Sequence, residues 1–188
     1  DKMREYLGNA EASEAQAGIA VELTQAEMKL DNGQYEQALA TLVRAKRNAG
    51  KHPHVLGLLH KAYLGLEDWS SLITLLPELR KHKILPPETL HDIEKDAYLK
   101  LLQNSVLDSD SASALQLQWQ QLPADLRKDP EMARAYVRLL MAAGEVVEAE
   151  KVILRFLKKA WDIGFVRLYG LLESGNPGRQ LTQAESWL

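Results

Sequence analysis

Apolar residues recur along this chain at helical spacing, and the same arrangement returns in successive blocks. Behind Tyr35, the residues Ala38, Leu42 and Ala45 stand four and then three apart, as one face of a helix requires. Adding 34 to these four positions gives Trp69, Leu72, Leu76 and Leu79, and moves Pro53 to Pro87. The next step is 43: Leu72 goes to Leu115, Leu76 to Trp119, Leu79 to Leu122 and Pro87 to Pro130. A fourth block follows with Pro130, Gly144, Ala149, Ile153 and Phe156, and a last step of 35 carries Ala149 to Ala184 and Ile153 to Leu188.

Thirty-four residues is the tetratricopeptide period, one pair of antiparallel helices per repeat. The nine additional residues of the long step fall in Gln103 to Ser113, a Ser- and Asp-rich stretch that reads as a lengthened turn. Gly33 and Gly144 share one register, the tight turn inside a pair, where positive φ is needed. Glu67 holds that place in the second repeat, with Asp68 as the cap of the helix that follows. Pro53, Pro87 and Pro130 open the first helix of each pair, where a missing N–H costs nothing. Asp129-Pro130-Glu131 combines cap, proline and acid in one start signal.

The pattern predicts an all-α, right-handed superhelical solenoid of tetratricopeptide-type helix hairpins, a single domain over 1–188. A leading helix covers 1–14, with repeats near 19–52, 53–86, 87–129 and 130–163 and a partial one over 164–188. Individual helices are expected near 2–13, 15–31, 35–49, 54–66, 69–83, 88–103, 111–121, 131–143, 146–160, 163–174 and 180–188. Pro77 falls inside one of them and should kink or shorten it. No segment alternates as a surface strand does.

With 46% hydrophobic and 26% charged residues, the chain has material for a continuous core. A net charge of −3 and a pI near 6.0 give no global attraction to nucleic acid. The absence of cysteine excludes disulfides, thiolate zinc sites and cysteine nucleophiles, and leaves the compartment open. No apolar run approaches the ~20 residues of a membrane span. Opening at Asp1-Lys2-Met3-Arg4 and stopping at Trp187-Leu188 within an expected helix, the chain reads as part of a longer protein.

No phosphate-binding glycine loop, His-Glu-x-x-His or Gly-x-Ser-x-Gly elbow is present, so a non-enzyme without cofactor or metal is expected. Glu145, Glu148 and Glu150 read as one solvated stretch. His52 and His54 flank Pro53, His60, His82 and His91 lie elsewhere, and their spacing converges on no metal site. Trp69, Trp119 and Phe156 recur at core positions, while Trp161 and Trp187 are undetermined.

Aligned on Ile19, Pro53, Pro87 and Pro130, the ninth position of the repeats reads Glu27, Lys61, Lys95 and Arg138. The fifth reads Leu23, Gly57, His91 and Arg134. His91 with Lys95, and Arg134 with Arg138, are i,i+4 pairs on one helical face. Lys61, His91, Lys95, Arg134 and Arg138 would form a basic ladder on the inner wall of a solenoid, suited to an acidic peptide or another carboxylate-bearing ligand. Solvation, or pairing with acids of the adjacent helix, is the bland alternative.

Several ordered stretches resemble the HemY family. They include Val21-Glu22-Leu23-Thr24-Gln25-Ala26-Glu27, Gln37 to Leu42, His52-Pro53, Asp68-Trp69 and Leu75 to Lys81. Val166-Arg167-Leu168-Tyr169-Gly170, Arg179-Gln180-Leu181 and Ala184 to Leu188 complete the set. The resemblance implies a parent protein of the bacterial inner membrane, held by two N-terminal helices absent from this chain. It further implies a scaffold or regulator in a late step of protohaem synthesis, whose partners are haem-pathway enzymes. The alternative is a porphyrin- or haem-binding module, with Arg134, Arg138 and Lys95 meeting propionates. No catalytic residues carry over.

Overall fold

The helix boundaries follow local capping chemistry. The computed structural model describes residues 2–49, 52–105 and 111–187, which hold ten α-helices and one short 3-10 turn. These are α1 (Lys2–Asp31), α2 (Tyr35–Ala49), α3 (Pro53–Gly65), α4 (Trp69–Lys81), α5 (Pro87–Ser105), α6 (Ser111–Gln121), a 3-10 turn (Leu126–Lys128), α7 (Pro130–Ala142), α8 (Val146–Leu157), α9 (Ile163–Gly170) and α10 (Pro177–Glu185). No strand occurs among the described residues.

Pro53, Pro87 and Pro130 each open a helix, as the sequence predicts, and Pro177 opens a fourth. The Asp68 carboxylate accepts from the Ser71 N–H at 3.0 Å, and Asp129 accepts from Glu131 and Met132 at 2.8 and 2.9 Å. Four helices end alike, with the C′ residue left-handed: Gly33 (φ 71°), Glu67 (54°), Lys83 (52°) and Gly144 (78°). In each, the N–H one residue later closes onto a carbonyl five residues back. The pairs are Gln34 to Lys29, Asp68 to Tyr63, Ile84 to Leu79 and Glu145 to Leu140, at 2.8–3.0 Å. These are Schellman caps.

The repeat register coincides with burial. Ala38, Leu72, Leu115 and Ala149 are each wholly buried, and Leu42, Leu76 and Ile153 are equally inaccessible one turn on. Trp69, Trp119 and Phe156 are half-buried instead of fully enclosed.

Three expectations are corrected. The leading helix is not separate: α1 runs unbroken from Lys2 to Asp31, because the Ala- and Glu-rich stretch at its centre holds no proline. The nine additional residues do not all form a turn. Helix α5 has 19 residues against 13 in α3 and in α7, and Ser105 Oγ donates to the Leu101 carbonyl at 2.9 Å in its last turn. Only 106–110 of that stretch lie outside the described residues, as does Leu188. Helix α4 contains Pro77 on its exposed side and ends at Lys81, two residues short of the expected 83, in keeping with the shortening expected of that proline. Helices α8 and α9 stop earlier than expected, at Leu157 and Gly170, and α10 begins three residues sooner.

The chain divides into two compact units, 1–97 and 98–188, with the division inside α5. In the first, α1 packs on α2, α2 on α3 and α3 on α4, with α1 also touching α3. Its core joins Leu23 and Ala26 to Leu42, Leu56, Leu59 and Leu76. In the second, α7 packs on α8 and α8 on α9, with α7 also touching α9. Leu115, Leu126, Tyr136, Val137, Ile153 and Phe165 lie at its centre.

Candidate functional site

The five residues of the expected basic ladder fall into both units. Lys61 (α3), His91 and Lys95 (α5) belong to the first, and Arg134 and Arg138 (α7) to the second. Lys61 and His91 are exposed, and Lys95 is half-buried. Arg138 is exposed and forms no ion pair among the described residues. Arg134 is already engaged. Its guanidinium donates to Asp162 Oδ2, and its Cζ lies 5.7 Å from the Phe165 ring centroid. Asp162 Oδ1 meanwhile caps α9, accepting from Gly164 at 2.7 Å and Phe165 at 3.2 Å. Arg134 thus joins α7 to the start of α9.

The acidic stretch is less uniform than expected. Glu148 pairs with Lys151 at 3.1 Å, but Glu150 accepts from Arg179 at 3.1 Å and from the Tyr169 hydroxyl at 3.3 Å. Helix geometry turns position 150 toward α9 and α10, away from water.

The second unit contains a cavity of about 440 Å³ between α6 and α8, closed at one end by the 3-10 turn. Trp119, Tyr136 and Phe156 form its aromatic lining. The Trp119 and Tyr136 rings stack at 4.2 Å with 2° between their planes, and Phe156 lies 4.9 Å from Phe165. Burial and the nearby Glu148 and Glu145 push the Tyr136 phenol up to about 12, with Arg155 opposing. Tyr136 is therefore a neutral wall at physiological pH. Around this lining stand Arg127, Lys128, Arg155 and Lys159. All four are exposed, and none pairs with a carboxylate among the described residues.

The first unit holds a cavity of about 600 Å³ lined by His54, His60, His82, Lys61, Lys83 and apolar residues including Leu58, Ile84 and Leu85. His54 Nε2 lies 3.0 Å from Glu27 Oε1. The Nε2 atoms of His60 and His82 are buried without a hydrogen-bond partner. Burial, reinforced by Lys61, lowers the pKa of His60. No group of three or more His, Cys, Asp or Glu side chains among the described residues could hold a metal ion.

Sequence reasoning passed over both cavities. Their signals were two basic doublets, Arg127-Lys128 and Lys158-Lys159, at the edges of helix pairs, and histidines six and more residues apart that three-dimensional packing gathers.

No helix among the described residues is long and apolar enough to cross a membrane. No protein-family model matches the chain, and no solved structure matches it. Curated proteins do. Those named "Protein HemY" in Escherichia coli and in Shigella flexneri are each 24% identical to it over 159 residues, 85% of this chain. The chain spans 40% of the length of these relatives. This chain is HemY-like in sequence over most of its length.

Proposed function

We propose that the chain is the helical-repeat part of a non-catalytic interaction protein acting in a late step of protohaem synthesis, in a parent anchored to the bacterial inner membrane. The pathway rests on the likeness to HemY. The tetratricopeptide reading rests on recurrence: Gly33 and Glu67 are 34 residues apart with identical left-handed caps, and register positions are buried in both units. One observation carries the interaction reading above the others. The cavity of the second unit sets four exposed, unpaired cations around an aromatic lining. That combination holds an anionic partner, since Arg and Lys supply charge and donors while aromatic faces supply contact area.

Cross-linking the whole anchored protein in cells, then purifying it and identifying attached proteins by mass spectrometry, tests the proposal. Recovery of haem-pathway enzymes supports it. Their consistent absence, with the bait well recovered, overturns it.

A porphyrin-binding reading is favoured by a different observation, the Nε2 atoms of His60 and His82 buried without partners beside Lys61 and Lys83. Titration with protohaem separates the two. A Soret shift saturating near one equivalent, and lost in His60→Ala with His82→Ala, supports the second reading; an unshifted band refutes it.

A further inference from the structure

The basic cavity of the second unit does not stand alone. Against it lies a second cavity of about 310 Å³, which shares Lys128, Phe156 and Lys159 with the first. Its other walls are Pro130, Ala160, Trp161, Phe165 and Asp162. The Asp162 carboxylate is committed on both oxygens, to Arg134 and to the N–H groups opening α9. The second cavity is therefore an apolar recess entered past two lysines. Trp161 at its edge is 61% exposed although it stacks edge-on with Trp187 at 6.1 Å. An indole left that open is a common mark of a surface that takes a partner.

We propose that the two cavities are one docking site for an acidic peptide segment carrying an aromatic or branched apolar side chain beside its carboxylates. The inference rests on the interaction reading and names the class of partner. The apolar side chain enters the recess against Phe156 and Trp161, above the wholly buried Phe165. The neighbouring carboxylates meet Arg127, Lys128, Arg155 and Lys159. The single acid lining the basic cavity, Glu148, is occupied by Lys151 at 3.1 Å, so the local charge is opposite to the chain's net −3. Arg127 and Arg155 offer forked donors to carboxylates. Each exposed ion pair contributes little by itself, so binding requires both halves: several charges and the anchor. A nucleotide is less well matched, because the uncommitted polar side chains lining the recess, Lys128 and Lys159, can donate to the edge of a base but cannot accept from it.

The test uses the whole chain and three fluorescein-labelled peptides, with binding read by anisotropy. The first is Glu-Asp-Phe-Asp-Glu. The second replaces Phe by Ala, and the third replaces every acid by its amide. Saturable binding of the first is expected, with each control weaker by about tenfold or more, because each control removes one half of the site. Arg155→Glu with Lys159→Glu should weaken the first peptide at least about tenfold. Arg127→Gln with Lys128→Gln, on the opposite wall, should do the same should the α8 variant melt early. Trp161→Ala should remove the preference for Phe over Ala. Arg167→Glu, an exposed cation of α9 outside both cavities, should change nothing, and binding should fall with added salt.

Equal binding of all three peptides, indifference to both charge variants, or tighter binding of ATP or inorganic phosphate than of the acidic peptide would overturn the site. Should the peptides fail while the anchored protein still captures haem-pathway enzymes, the site falls and the interaction reading survives. Should the peptides bind and no such enzyme be captured, the site stands and the pathway assignment falls.

Discussion

Glu67 is a non-glycine residue held at φ 54°, where Gly33, 34 residues earlier, sits at 71°. The left-handed region costs an L-residue about 1–2 kcal/mol, because Cβ crowds the following carbonyl. Glycine in the unfolded chain loses more entropy on folding, returning about 0.4–1 kcal/mol of that gain. Glu67→Gly should therefore stabilise the first unit by about 0.5–1 kcal/mol, and Gly33→Ala should destabilise it by a similar amount. Sterics do not confuse the second figure, since a Cβ at Gly33 meets nothing within 4 Å. Nor does the first substitution remove a contact: Glu67 is exposed, and the cap bonds use its backbone. Both positions lie within 1–97, so one transition reports both. Urea unfolding followed by circular dichroism should place the Glu67→Gly midpoint above that of the unmodified chain and the Gly33→Ala midpoint below it. With slopes of about 1–2 kcal/mol per molar urea, the two variants should differ by roughly 1 M. Midpoints displaced in the same direction would refute the shared left-handed cap as the determinant of these turns.

Three further outcomes follow from named contacts. Asp162→Ala removes the cap of α9 and the partner of the half-buried Arg134 together, and should cost about 2–3 kcal/mol in urea unfolding; Arg134→Ala should cost less, since the cap remains. Gly65→Ala places a methyl group in the Tyr35 ring and should cost about 1–3 kcal/mol, largely restored when Tyr35→Ala is added. His60 is buried and resists protonation, so below about pH 6.5 the unfolded chain binds the extra proton more readily than the folded one. Stability should be full above that pH and should fall as pH drops toward the lowered folded pKa, and His60→Gln should flatten this dependence in melting curves at about pH 5.5 and 7.5.

Most helix starts, the turns at Gly33, Glu67 and Gly144, and several buried positions were legible in the sequence, because each depends on groups within about one helical turn; the left-handed Lys83, placed inside a helix, was not. Asp129-Pro130-Glu131 needs no distant partner to begin α7, and Gly144 none to end it. The step of 34 carried Ala38 to Leu72, and both proved wholly buried, because each lies on the apolar face of its own helix. Length was less legible than position. Nothing in the polar residues after Leu102 announced that α5 would continue to Ser105, since helix extension on a solvated surface is decided by small differences.

The site was legible only in fragments. His91 with Lys95 and Arg134 with Arg138 are one turn apart by helix geometry alone, but sequence could not show that Arg134 is taken by Asp162, 28 residues on. The basic cavity draws on α6, the 3-10 turn, α7 and α8, and its neighbour adds the turn before α9. A cavity is what remains where those surfaces fail to close on one another. Side-chain volume and helix approach across the fold decide that, and the order of residues along one helix does not contain it. Local chemistry determined where each helix begins, ends and hides its apolar face; tertiary packing alone determined which cations were left unpaired around Trp119 and Phe156.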